Sequence, residues 1–170
     1  MISRELGGLL ADARSVLSDD FELGMMNSVP VGYSGRPLGA DTPADYVEFL
    51  AKANGGIFGR VVVFDAKVVA DSQFYADPLE GAPVRLNRDE WFCCGKIDDD
   101  PVFLHRETGE VWGFPDTGVT WWQSEVFRRF ADDLDGFLLH WAFGSGYQEI
   151  SGADPDDSWL TVLRQLRRIS

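Results

Sequence analysis

Hydrophobic positions near the start of the chain follow a helical spacing. Leu6, Leu9, Leu10, Ala13, Val16 and Leu17 recur at i, i+3, i+4 and i+7, which predicts an amphipathic helix over residues 4–17, with Gly7 and Gly8 weakening its start. From Asp19 to Gly39, glycine and proline break any period, and the stretch reads as an irregular connection. A second helix follows. Asp41 or Thr42 supplies its cap, Pro43 its first position, and Tyr46, Val47, Phe49, Leu50 and Ala53 its apolar face. Asn54-Gly55-Gly56, residues that tolerate positive φ, end it.

The period then shortens. Val61-Val62-Val63-Phe64 and Val68-Val69-Ala70 are β-rich runs, the first apolar throughout and so expected to be central in a sheet. Val84-Arg85-Leu86 is a weak strand candidate. Glu90–Ile97 reads as a strand, Asp98-Asp99-Asp100-Pro101 as a turn, and Val102–His105 as the returning strand. Glu107-Thr108-Gly109-Glu110 turns the chain again into Val111–Phe114. Strands joined by such short turns form an antiparallel meander. Helical spacing returns from Ser124, with Val126, Phe127, Phe130, Leu134, Phe137, Leu138, Trp141 and Phe143 over about five turns, and Gly144-Ser145-Gly146 stops it. After Asp154-Pro155-Asp156-Asp157, a last short helix carries Trp159, Leu160, Val162, Leu163 and Leu166. The order helix, helix, sheet, helix, helix predicts an α+β fold in one domain over residues 1–170.

Composition narrows the function classes. The chain has 170 residues, 45% of them hydrophobic, and a net charge of −13, which predicts an ordered acidic domain that needs no disulfide or metal staple. Nucleic acid and anionic membranes are disfavoured as partners, because both select clustered Lys and Arg. No secretory signal is visible between Met1 and Asp20, and no apolar run reaches the roughly 20 residues of a spanning helix. The two cysteines, Cys93 and Cys94, are adjacent, so on a strand they point to opposite faces. They are expected to be reduced thiols in a cytoplasmic protein.

No motif for chemistry stands out. Gly95-Lys96 is followed by Ile97 between strands and makes no phosphate loop. The clusters Asp98-Asp99-Asp100 and Asp154/Asp156/Asp157 lack the spacing of a calcium loop and read as a hairpin turn and a cap region. His105 and His140 have no nucleophile or carboxylate pattern beside them and read as scaffold residues. No catalytic, cofactor or metal residue is therefore assigned, and the protein is expected not to be an enzyme. Trp112 and Trp141 are expected in the core. For Trp121 and Trp122, core and partner grip stay open, because consecutive residues rarely both point inward.

Charge is unevenly placed. Residues 130–159 hold Asp132, Asp133, Asp135, Glu149, Asp154, Asp156 and Asp157 with no Lys or Arg, while Arg164, Arg167 and Arg168 close the chain without an acid. Basic residues suit a helix C-terminus. The acidic excess raises encounter rates with basic partners, which points to a basic protein rather than a small substrate.

The layout resembles the SUKH superfamily, the Smi/Knr-like proteins. The resemblance rests on the Pro-initiated helix with Tyr46, Phe49 and Leu50 ending in Asn54-Gly55-Gly56, the strand Trp91–Gly95 and the acidic turn. It continues through the Thr108-Gly109-Glu110-Val111 hairpin and the late aromatic segment with Phe127, Phe130 and Leu134. It covers roughly residues 40–143, more loosely the first helix, and the tail 144–170 reads as an extension. The helix with its Asn-Gly-Gly end is the most specific element, and those glycines are scaffold features.

Membership would imply a mainly antiparallel, twisted sheet flanked by helices. It would also imply a binding protein: many bacterial members are immunity proteins that neutralise polymorphic toxins, often nucleases, and others are regulatory, including a fungal cell-wall-signalling branch. The expected mechanism is occlusion of a basic toxin cleft by acidic residues with aromatic anchors. The candidate partner-binding residues are Asp98, Asp99, Asp100, Trp121, Trp122, Asp132, Asp133 and Asp135. A regulatory or scaffold protein with a non-toxin partner would share these features. A hidden enzyme or small-ligand binder would be marked by a deep pocket that joins His105 or His140 to a carboxylate of shifted pKa.

Overall fold

The computed structural model describes residues 1–152 and 154–170. Helices α1 (Arg4–Asp19), α2 (Phe21–Met26) and α3 (Ala44–Lys52) precede strands β1 (Gly56–Phe58) and β2 (Val61–Val63). A 3-10 helix (Ala70–Ala76) leads to β3 (Trp91–Ile97), β4 (Asp100–His105) and β5 (Val111–Gly113). A 3-10 turn (Trp121–Gln123) precedes β6 (Arg128–Ala131), which is followed by α4 (Leu134–Phe137), a π-helical turn (Leu138–Ala142), α5 (Gly146–Ser151) and α6 (Ser158–Gln165). The six strands form one antiparallel sheet in sequence order, with helices from both ends of the chain beside it. The fold is α+β, and the sheet is a meander throughout.

Local signals explain most of the helices. Ser3 Oγ accepts the Leu6 N–H at 3.1 Å and starts α1, whose buried face is Leu6, Leu9, Leu10 and Ala13. Arg14 on α1 donates to the carbonyls of Val29, Pro30 and Lys52, tying the helix to the end of α3. Pro43 is the cap of α3 rather than its first residue, and no side chain completes that cap. Val47, expected on the apolar face of α3, is 44% exposed. At the far end Asn54 Oδ1 accepts the Ala66 N–H at 2.9 Å.

Alternation sorts the sheet residues onto two faces. One face carries Phe58, Val61, Val63, Phe92, Val102, Leu104 and Val111, buried in the main core with the helices. Tyr46 of α3 packs on Phe92 at 5.2 Å between ring centroids, and Phe58 meets Phe143 and Trp159 at 5.3 and 5.5 Å. Trp159 is fully buried and its indole N–H donates to the Ala142 carbonyl at 2.7 Å. The tail 144–170 thus contributes Tyr147, Trp159, Leu160, Val162 and Leu163 to the same core as α1 and α3. The opposite face carries Trp91, Phe103, His105, Trp112 and Phe114 and is covered by Phe127, Trp121 and Tyr75 in a chain of ring contacts.

Several sequence expectations are corrected. Residues 21–26, expected to be irregular, form α2, because Asp20 accepts the Leu23 N–H and caps it. Val68-Val69-Ala70 is not a strand: Asp65 Oδ1 accepts the Lys67 and Val68 N–H groups and turns the chain into the 3-10 helix. Val84-Arg85-Leu86 is irregular. The apolar run of β2 lies second from the sheet edge rather than at its centre. The long helix expected from Ser124 is divided, with 128–131 forming β6 and helix starting only at Leu134, where Asp133 accepts the Gly136 N–H. Gly144-Ser145-Gly146 leads directly into α5. Trp112 and Trp141, expected in the core, are half-buried and pack against it. Among the described residues no helix is long and apolar enough to cross a membrane.

Candidate functional site

A cleft of about 640 Å³ opens between the β3–β4 turn, the loop after β5, strand β6 and helix α5. Ile97 and Asp98–Asp100 enter from the β3–β4 turn, Phe114 and Asp116 from the loop after β5, Arg128 and Phe130 from β6. Trp141 and, on α5, Glu149 and Ile150 form the helical wall. The apolar part is therefore Ile97, Phe114, Phe130, Trp141 and Ile150, bordered by Asp98, Asp99, Asp100, Asp116 and Glu149.

One network sets the position of the helical wall. Gly59, in the β1–β2 turn, has φ +63°, and a Cβ there would stand 2.0 Å from Tyr147 Oη; only glycine suits both the conformation and the close approach. The next residue, Arg60, donates its backbone N–H to Tyr147 Oη at 3.0 Å, and Tyr147 donates to Asp157 Oδ2 at 2.7 Å. Asp157 Oδ1 caps α6 by accepting the Trp159 N–H at 3.0 Å. Buried Asn27 joins in, accepting the Gly59 N–H at 2.9 Å and donating to Ser158 Oγ at 2.9 Å. Burial and the bond to Asp157 push the Tyr147 phenol far above its ordinary pKa, so it stays protonated.

Electrostatics divide the rim. The Arg60 guanidinium lies 3.3 Å from Asp154, 3.6 Å from Asp157 and 3.7 Å from Asp98. Asp99, Asp100, Asp116 and Glu149 form no ion pair among the described residues. Desolvation raises the pKa of both Asp98 and Asp100; Arg60 opposes the rise at Asp98, while Asp116 and Asp99 add to it at both positions. Arg128 lies over the Phe130 ring, 5.8 Å from its centroid. Asp116 also shapes the rim, because its Oδ1 accepts the Gly118 N–H at 3.0 Å.

The chain matches no family model, no curated protein and no solved structure.

The sequence candidates separate in space. Asp98, Asp99 and Asp100 line the cleft. Trp121 lies beside it, half-buried against Phe114 and Tyr75 at 5.7 and 5.8 Å, while Trp122 is 46% exposed and lines a separate hollow with Leu79 and Pro83. Asp132, Asp133 and Asp135 do not reach the cleft. Asp132 pairs with Arg129 at 3.3 Å, Asp133 caps α4, and Asp135 accepts the Ser3 N–H at 2.7 Å. Asp116, Glu149, Phe130 and Trp141 had no place among the sequence candidates. Pro115-Asp116-Thr117-Gly118 carries a turn signal that marks Asp116 as exposed, but nothing local places it opposite the β3–β4 turn.

The histidines lie elsewhere. His105 packs on Trp91 at 4.8 Å between ring centroids; its Nδ1 accepts the Thr108 N–H at 3.2 Å and its Nε2 faces Glu90 at 3.3 Å. The hollow of about 450 Å³ beside it is lined by Asp89, Glu90, His105, Arg106 and Glu107, with no serine or cysteine nucleophile. His140 is exposed and packs on Trp141 at 4.9 Å. No group of three His, Cys, Asp or Glu side chains among the described residues converges as a metal site.

Proposed function

We propose that this protein is a non-catalytic cytoplasmic binding protein of the immunity type. In this reading it neutralises a cognate toxin, in the first instance a nuclease, by covering a basic surface of that toxin with its acidic cleft. One observation carries the reading: four carboxylates that form no ion pair among the described residues line a single cleft together with apolar side chains. Such a surface attracts a basic partner at long range and offers rings for close contact. The resemblance to Smi/Knr-like proteins supplies the toxin as the class of partner.

The test is capture from lysate of the native host at low and high salt, followed by expression of the captured protein with and without this chain. A basic partner that is lethal alone and harmless in coexpression supports the proposal. A partner that is harmless alone would make the protein a regulatory binder instead. The variant Asp99→Lys/Asp100→Lys/Asp116→Lys should slow association and flatten its salt dependence. Asp98 is left intact because it helps hold Arg60. Unchanged association of that variant would remove the cleft from the interface.

A further inference from the structure

Building on the reading of this chain as a partner-binding protein, we infer that the cleft is a receptor for an arginine side chain of the partner. Its lining combines two features that a guanidinium satisfies together. The acids at positions 99, 100, 116 and 149 form no ion pair among the described residues, while the half-buried rings of Phe130 and Trp141 line the same hollow. A guanidinium is planar, weakly hydrated and able to stack on a ring while its edge meets carboxylates. An ammonium keeps its water more tightly and has no flat face, so lysine is the poorer occupant.

The chain itself displays both halves of this recognition at the cleft. Arg128 places its guanidinium over Phe130 with no carboxylate within ion-pair distance among the described residues. Arg60 shows the other mode, held by three carboxylates at 3.3 to 3.7 Å. A guanidinium from a partner would find ring and carboxylates in one place. The acids border an extended hollow rather than converging three to a point, which favours an organic cation over a metal ion. The volume, about 640 Å³, falls in the range of roughly 300–1,000 Å³ typical of ligand sites, enough for a side chain with its flanking backbone. Desolvation, with neighbouring carboxylates adding to it, disfavours the charged forms of Asp98 and Asp100 in the cleft, and a bound cation opposes both effects.

The experiment is an NMR titration of the full chain with a capped Gly-Arg-Gly peptide, the matching Gly-Lys-Gly peptide and a neutral Gly-Gln-Gly peptide. The arginine peptide should shift the Trp141 indole N–H and the amides of residues 97–100 and 116–119. Its affinity should exceed that of the lysine peptide by about threefold or more and fall steeply with salt. Asp100→Asn/Asp116→Asn should weaken it several-fold, and Phe130→Leu should abolish the preference over lysine. Glu149→Gln, on the exposed surface of α5, supplies the same reading should the double variant not fold. Equal response to arginine and lysine, shifts spread over the acidic surface, or an undiminished response in the acid variants would overturn the inference. The two proposals fail separately. An arginine response together with a captured partner that is harmless alone removes immunity and leaves the receptor. A toxin bound at full affinity by Asp100→Asn/Asp116→Asn, with no peptide response, does the reverse.

Discussion

The side chain of Gln73 pairs with the backbone of Cys93 as a neighbouring strand would. Its Nε2 donates to the Cys93 carbonyl at 2.8 Å, and its Oε1 accepts the Cys93 N–H at 2.9 Å. The register of β3 against β4 shifts between Cys93 and Gly95, and β2 pairs with β3 only from Gly95 to Ile97. A buried amide thus satisfies the two backbone groups that the sheet leaves open at its irregular point. Gln73→Ala should strand both and cost about 2–4 kcal/mol, or roughly 5–12 °C in Tm for a chain of this size. Gln73→Glu keeps the shape but not the donor. Its penalty should shrink as pH falls, because protonation of the buried acid restores a donor in the folded state. Thermal melts across pH check both.

Gly59 and Gly118 separate strain from collision. Both have positive φ, +63° and +81°, but a Cβ at Gly118 meets nothing within 4 Å whereas one at Gly59 meets Tyr147 and Trp159. Gly118→Ala should cost about 1 kcal/mol from the backbone alone. Gly59→Ala should cost about 3 kcal/mol or more, since the clash adds to the strain. Urea unfolding of the pair measures the difference directly, and equal losses would mean that the Tyr147 network yields.

The carboxyls of Asp98 and Asp100 have raised pKa values in the folded state. Their ionised forms therefore destabilise the fold. The penalty is fully present above the raised folded values, fades as pH falls through them, and is absent below the unfolded value of about 3.9. Asp100→Asn should accordingly raise Tm at neutral pH by roughly 1–3 °C, corresponding to a few tenths to 1 kcal/mol after solvent screening. The gain should vanish near about pH 3, below the ordinary carboxylate range.

Thiol chemistry offers a readout of opening. Cys93 and Cys94 are both buried; burial pushes the Cys94 thiol up to about 12 and raises that of Cys93 well above its ordinary value. Neither should react with a disulfide reagent in the native state, because the thiolate is the nucleophile. Both should react on unfolding, and Gln73→Ala should speed native labelling in proportion to its loss of stability. Rapid labelling of either cysteine in the stable wild-type protein would contradict the burial.

How far the fold was legible follows from where each signal resides. The helices α1, α3 and α6 each bury one stripe, and β3 to β5 are joined by tight turns, so spacing and turn residues suffice. The helix α2 buries only Leu23, leaving no stripe to detect. Phe127 and Phe130 continue the helical spacing of Leu134 and Phe137 yet belong to different layers, Phe127 in the Trp91 cluster and Phe130 beside Phe137. The spacing was coincidental there, and the cap residue Asp133 was the better marker of the helix start. At the cleft, Asp98–Asp100 were legible as an exposed turn. Phe130 joins it through the pairing of β6 with β5, and Trp141 and Glu149 through the packing of the late helices, none of which a local pattern encodes.

One connection in the meander differs from the others. Three of the turns between neighbouring strands are short, and the loop before β6 is longer, but residues 64–90 separate β2 from β3. Closing a loop of that length costs about 1.5–2 kcal/mol more than closing a four-residue turn, by the logarithmic growth of closure entropy. The hairpin β1–β2 and the unit β3–β6 can therefore each form before they meet. Their joining is the entropically slow event, and the Gln73–Cys93 pair fastens the long loop across that seam. A refolding experiment should find the β3–β4 amides protected earlier than those of β1 and β2, with Gln73→Ala delaying only the second group.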